Sequence, residues 1–152
     1  MNPITILYGT MTGNARDCAE KVAGAFQKSG LVHEVHDLAQ YDPRKLAEAA
    51  TVILAISTWG EGEPPDDALG FYDYVKSLEN PALAHLRFAV FALGDTSYDD
   101  FCGCGKNLDR MFEERGAQRI LGRVDNDTDY FDALDKWCAD LIPAVHDASV
   151  AV

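Results

Sequence analysis

Two runs, TVILAIS at 51–57 and RFAVFAL at 87–93, are apolar at nearly every position rather than at every second one. Strands of that kind are buried on both faces, which marks a parallel sheet covered by helices. The rest of the chain supplies the alternation such a sheet needs. ITILY at 4–8 reads as a first strand, followed by NARDCAEKVAGAFQKSG, where Ala15, Cys18, Ala19, Val22, Ala23 and Phe26 fall at helical spacing before Gly30. LVHEVHDL is a second strand, PRKLAEAA a short helix opened by Pro43, and PPDDALGFYDYVKSL helical in its later part. GKNLDRMFEERG carries Leu108, Met111 and Phe112 ahead of Gly116, and QRILGRV reads as one fifth strand. YFDALDKWCADLIPAV places Phe131, Leu134, Cys138, Leu141, Ile142 and Val145 on one helical face, before a small-residue tail DASVAV. The pattern predicts an α/β fold, a doubly wound five-stranded parallel sheet with helices on both faces, as one domain over residues 1–152.

Composition narrows the function classes. With 152 residues and 47% apolar content the chain fits one domain with a real core. It has no apolar run of the roughly 18 residues a membrane helix needs, and Met1-Asn2-Pro3 leads into a strand without a signal region, so a cytoplasmic protein with no membrane association is expected. Cys18, Cys102, Cys104 and Cys138 are expected as free thiols, and CGC at 102–104 is not a CxxC redox motif. Thirteen basic against 25 acidic residues give a net charge of −12, which repels nucleic acid and anionic membranes and attracts basic partners.

In an open parallel sheet, ligands bind beyond the carboxyl ends of the strands at the switch point. Three unusual loops follow strands one, three and four: GTMTGNA, STWGEGEPPDD and GDTSYDDFCGCG. In the common doubly wound order 2-1-3-4-5, borrowed from known folds, those strands are neighbours and the loops converge. Backbone N–H groups at a helix start can hold a phosphate without a lysine, and Thr10, Thr12 and Asn14 add neutral donors; Thr12 or Asn14 as an ordinary helix cap explains the same residues. Neither GxxxxGK[ST] nor GxGxxG is present. Trp59 and Tyr98, on two adjacent loops, suit a planar ligand between them, although Trp59 folded back over a core edge explains the same residue, and Asp95 beside Gly94 can accept from a ring N–H or serve an ordinary turn. A phosphate at one end and a flat ring at the other, with no metal ligands at useful spacing, suggest flavin mononucleotide (FMN). His33 and His36, three apart in a strand, lie on opposite faces and make a poor metal pair. Cys102 and Cys104 read as small packing residues, and the acidic run DNDTD at 125–129 as a solvated loop that can extend an acidic docking face with Glu61, Glu63, Asp66, Asp67, Asp99 and Asp100.

With TxTGNA, ST-aromatic-GEGEPPDDA and LGDTSYDDFC in that order over nearly the whole chain, the sequence resembles the flavodoxin family, in particular the FMN-binding domain of the sulfite reductase flavoprotein subunit. The resemblance implies a flavodoxin-like fold with sheet order 2-1-3-4-5. It implies that Thr10, Met11, Thr12, Gly13, Asn14 and Ala15 hold the phosphate of FMN. Ser57, Thr58, Trp59 and Gly60 on one side, and Leu93, Gly94, Asp95, Tyr98, Phe101 and Cys102 on the other, would frame the isoalloxazine, with Tyr98 stacked on one face and Trp59 over the other. Met11 stands where the diflavin group usually has glutamine, and Trp59 is similar to the flavodoxin choice; the lack of a long insertion in the fifth strand resembles the short-chain group. The expected role is a monomeric one-electron carrier rather than an enzyme, exchanging electrons with basic-faced redox proteins, a flavodoxin reductase and electron-accepting enzymes. Gly60 is expected to turn its carbonyl to the N5–H of the neutral semiquinone, and acidic surroundings to make the carrier strongly reducing. An NAD(P)H-dependent quinone or flavin reductase on the same fold would instead need an open flavin face, and a phosphoacceptor receiver would need acidic residues after strands one and three.

Overall fold

A computed structural model describes residues 3–9, 13–57, 68–94, 102–126 and 130–150, with side chains as far as His146. The chain alternates β1 (Ile4–Gly9), α1 (Asn14–Lys28), β2 (His33–Asp37), a 3-10 helix (Pro43–Ala47), β3 (Thr51–Ser57), α2 (Leu69–Ser77) and β4 (Arg87–Leu93). It continues with α3 (Gly103–Glu114), β5 (Gln118–Arg119), β6 (Val124–Asn126) and α4 (Phe131–Val150). All strand pairings are parallel, in the order β2-β1-β3-β4-β5, with β6 also on β4.

β3 and β4 are buried at every position after the first, as their uninterrupted apolar runs require. Alternation along the strands divides the core into two layers. Ile6, Ile53, Ala55, Ala89 and Phe91 meet Val22 and Phe26 of α1 and Leu134, Trp137 and Leu141 of α4. Leu7, Val52, Leu54, Phe88 and Val90 meet Phe71 of α2 and Leu108 and Phe112 of α3. The two histidines of β2 divide the same way: His33 packs edge-on against Phe26 in one layer, and His36 lies 5.5 Å from the Tyr41 ring, which belongs to the other.

The fifth strand position departs from expectation. QRILGRV is not one strand but two short ones, β5 and β6, separated by Ile120–Arg123. Their break coincides with a charge cluster that sequence spacing does not reveal. Asp109 of α3, a side chain only 4% exposed, accepts from Arg119 Nη2 at 2.8 Å and from Arg123 Nη1 at 3.0 Å, both on Oδ2. Positions four apart in an extended strand lie about 13 Å apart. Leaving that geometry at Leu121-Gly122 lets both guanidiniums converge on one carboxylate. Arg123 also holds Asp125, and Arg119 lies 5.5 Å over the Phe88 ring.

Two further differences concern α4. The helix runs through Pro143 to Val150, so most of the expected tail is helical. Phe131, expected on the apolar face, is 61% exposed, because it opens the helix beyond the layer's rim and stacks on Tyr130 at 4.8 Å.

Candidate functional site

Parallel strands all point their carboxyl ends the same way, so Gly9, Ser57, Leu93 and Asn126 finish along one rim of the sheet. The register brings them into line: Gly9 is opposite Ile56, Ser57 opposite Leu93, and Leu93 opposite Asn126. From this rim spring the loops singled out in the sequence. Gly13, Asn14, Ala15, Ser57, Leu93, Gly94 and Cys102 are described and lie on or next to the rim. Thr10, Met11, Thr12, Thr58, Trp59, Gly60, Asp95, Tyr98 and Phe101 lie outside the described residues, as do Glu61, Glu63, Asp66, Asp67, Asp99 and Asp100.

α1 begins at Asn14 behind Gly13, which takes a left-handed conformation with φ 92°. A side chain at that φ is strained, and the space beyond Gly13 is open. The cap position itself is glycine, which has no side chain to offer the first turn, and Asn14 lies inside the helix rather than at its cap; Thr12 lies outside the described residues. A helix start whose cap residue is glycine, with the positive end of the helix dipole behind it, suits an anion. Ala15, the second residue of the helix, is fully buried against the α1 and α4 layer and fixes where that start points.

The β4 end is tighter. A Cβ on Gly94 would stand 2.8 Å from the Cys102 backbone nitrogen and 3.1 Å from its Sγ, so the two ends of segment 95–101 close against each other only with glycine there. Cys102 itself is left-handed at φ 56° as it opens α3. Gly94 N–H donates to the Asn126 carbonyl at 2.9 Å, and Cys102 Sγ donates to the same oxygen at 3.6 Å.

The thiols are packing groups. All four cysteines are free and buried. Burial, followed by the negative field of Asp125, pushes the Cys102 thiol up to about 12, and burial raises Cys104 further. Neither has the thiolate character of a redox cysteine. No group of three His, Cys, Asp or Glu side chains able to hold a metal occurs among the described residues, and no described helix is long and apolar enough to cross a membrane.

Two features of this rim were not legible beforehand. Asp125, read as part of a solvated acidic loop, is held by Arg123 through Nε at 2.7 Å and Nη2 at 3.2 Å. Asn126, read the same way, closes β6 and carries the carbonyl that ties both ends of segment 95–101. Its side-chain Nδ2 is buried and has no hydrogen-bond partner among the described residues. Gly122 inside QRILGRV was the available signal, since glycine within a strand pattern marks a bulge.

An open doubly wound sheet whose adjacent strand ends gather around a helix start with glycine at its cap is an α/β domain of the flavodoxin-like class. The chain belongs to the flavodoxin family, which matches residues 6–137. It is 39% identical over 145 residues to the sulfite reductase [NADPH] flavoprotein alpha-component of Bacillus subtilis (strain 168), covering 95% of this chain and 24% of that protein. The chain thus spans about a quarter of the length of the curated relatives it matches. The flavodoxin of Streptococcus pneumonia TIGR4 superposes with a TM-score of 0.79 at 29% identity, covering 93% of this chain and 99% of that one. A short-chain flavodoxin associated with a non-canonical PDU bacterial microcompartment shares the fold, with a TM-score of 0.79 at 24% identity over 94% of this chain and 98% of that one.

The family implies an FMN cofactor, and the described residues fit one. The glycine-capped start of α1, the Gly94–Cys102 closure and the Asn126 amide, unpaired among the described residues, are compatible with a flavin nucleotide at this rim.

Proposed function

We propose that this chain is an FMN-binding one-electron carrier that takes low-potential electrons from a reductase and passes them to acceptor redox enzymes. The observation that carries the reading is the α1 start behind a left-handed glycine at the cap position, set beside converging strand ends in a chain of the flavodoxin family. Residues 10–15 would seat the phosphate; Ser57 to Gly60 and Leu93 to Cys102 would frame the ring, with Trp59 and Tyr98 across its two faces. When bound, the flavin supplies one-electron redox chemistry, and the protein's part is to seat, orient and shield it. The closed turn at Gly94 and Cys102 fixes where the ring-framing segment leaves the sheet and where it enters α3. Buried thiols held protonated leave the flavin as the redox centre of the rim.

A net charge of −12 favours partners with a basic face, whose encounter is steered by long-range attraction. The likeness to NADPH sulfite reductase components makes an NADPH-linked flavoprotein reductase the donor, and a sulfite-reducing enzyme the acceptor, to assay first.

The test is a titration of the purified chain with FMN and with riboflavin. Charge-assisted hydrogen bonds contribute roughly 1.5 to 3 kcal/mol each, so FMN is expected to bind at least about tenfold more tightly. Thr12→Ala is expected to weaken FMN by about tenfold or more and riboflavin hardly at all. Stepwise dithionite reduction of the reconstituted protein then follows the one-electron chemistry by absorption. A chain that cannot be reconstituted with FMN defeats the proposal.

A further inference from the structure

The carboxyl end of β6 carries a donor that the fold does not use. Asn126 closes that strand opposite Leu93, and its carbonyl is committed twice, to Gly94 N–H and to the Cys102 thiol. Those two residues bracket segment 95–101. The side chain follows a different direction. Val124, two residues earlier, packs against the α1 and α4 layer, while Asp125 turns to Arg123. Alternation therefore sends the Asn126 side chain toward the face that α1 and α4 cover, at the β4 side of the rim, where α4 packs on β6. There its Nδ2 is buried without an acceptor among the described residues.

Buried polar groups are paired in the great majority of cases, and an orphaned one calls for a reason. Packing alone does not give one, since a leucine of similar size would fill the place without the desolvation penalty. A buried donor unpaired at the ligand-binding rim has a reason in the ligand itself, which brings the acceptor. A flavin nucleotide offers acceptors along its whole length, in the phosphate, the ribityl hydroxyls and the ring carbonyls.

We infer that Asn126 is a further cofactor-binding residue: its side-chain amide donates to an oxygen of the bound flavin nucleotide, while its carbonyl holds both ends of the segment that frames the ring. This rests on the FMN reading above. Its signature is a split between two measurements that a structural residue would move together. Removing the amide relieves the cofactor-free fold of an unpaired donor and deprives the loaded one of a hydrogen bond.

Asn126→Leu and Asn126→Asp are compared with wild type by thermal melting without cofactor and by flavin-fluorescence titration with FMN and riboflavin. Asn126→Leu is expected to melt at or above wild type without FMN, and to bind FMN about tenfold more weakly. Asn126→Asp keeps acceptors but has no amide, and is expected to lose at least as much affinity. Equal losses for FMN and riboflavin place the acceptor on the ring or ribityl chain, and a loss confined to FMN places it on the phosphate. Unchanged FMN affinity in Asn126→Leu overturns the inference. So does a fall in cofactor-free stability that accounts for the lost affinity. Should the leucine variant not fold, Asn126→Ala is read by the same titration. A wild-type control that binds no FMN defeats the parent reading, and is thereby distinguished from a failure of Asn126 alone.

Discussion

At one edge of the sheet, β2 runs unbroken beside β1, pairing from His33 through Asp37; at the other, β5 and β6 share the flank of β4 with a gap between them. The β2 edge is held by its ladder and by rings, His33 on Phe26 and His36 on Tyr41. The β5 and β6 edge is held by charge: Asp109 with two arginines, and Arg123 in turn with Asp125. Apolar contacts are non-directional and tolerate small slips. A carboxylate gripped by two planar guanidiniums fixes direction as well as distance. The edge built from charges is the one whose strand ends at Asn126, beside the loop that would frame the cofactor. The edge remote from the loop manages without that precision.

The sharpest way to break the comparison is to remove Asp109. Asp109→Ala leaves Arg119 and Arg123 partly buried without their shared carboxylate, and breaking a buried pair typically costs about 3 to 5 kcal/mol. Residual pairing of Arg119 with Glu113 and of Arg123 with Asp125 puts the expected loss near the lower figure. FMN affinity should fall with it, because β6 loses its anchor to α3. Glu34→Ala on the β2 edge, where the carboxylate is exposed and pairs with His36, should stay within about 0.5 kcal/mol. Urea unfolding of both variants decides the matter, and equal losses would end the distinction between the edges.

Much of the first edge and little of the second was legible in the sequence. β1, β3 and β4 follow from apolar runs, because burial on both faces writes itself into composition. QRILGRV carries Ile, Leu and Val among polar residues and so imitates an edge strand, while the partner that interrupts it, Asp109, sits on another element. The rim residues Gly13, Ser57, Gly94 and Cys102 were legible because unusual loops after buried strands stand out. Asn126 was not, since an asparagine within DNDTD looks solvated until β6 pairs with β4. Phe131 shows the opposite error. Its helical spacing matches the buried face, yet a first-turn residue can project past the layer it would join.

Alkali offers a gentler test. Burial, followed by the charges of Glu34, Asp42 and Glu48, pushes the Tyr41 phenol near the β2 edge up to about 12. The folded protein thus holds that proton more tightly than the unfolded chain, so the stabilisation is complete below the ordinary phenol value near 10 and is lost as pH rises through 12. Linkage gives a loss of about 1 to 1.5 kcal/mol at pH 11, absent in Tyr41→Phe. Cys102, tied to the β6 edge, is raised from 9.0 to about 12, so its share begins to disappear about one pH unit lower. Urea midpoints measured from pH 8 to 11 should show Cys102→Ala flattening the alkaline decline from about pH 9 and Tyr41→Phe only from about pH 10. Identical onsets would mean that the two sites do not differ as their surroundings require.

The smallest expected effect comes from making one substitution at both edges. Val35 on β2 is 36% exposed, and threonine there keeps the branched shape that strands favour while meeting water with its hydroxyl. Val35→Thr should therefore change stability by less than about 0.5 kcal/mol and leave FMN affinity untouched. Val124 on β6 packs against the α1 and α4 layer, where the same hydroxyl replaces a methyl in contact with apolar side chains. A partly desolvated hydroxyl costs about 1 kcal/mol, toward the low end of the range for such groups because Val124 is only half-buried. Val124 is also two residues from Asn126, so a displaced Val124 moves the carbonyl that ties Gly94 to Cys102. Val124→Thr should consequently lower FMN affinity by a few-fold in addition to its stability cost, whereas Val35→Thr should do neither. Paired urea and FMN titrations of the two variants measure this directly, and matching behaviour would show that β6 supports the loop no more than β2 does.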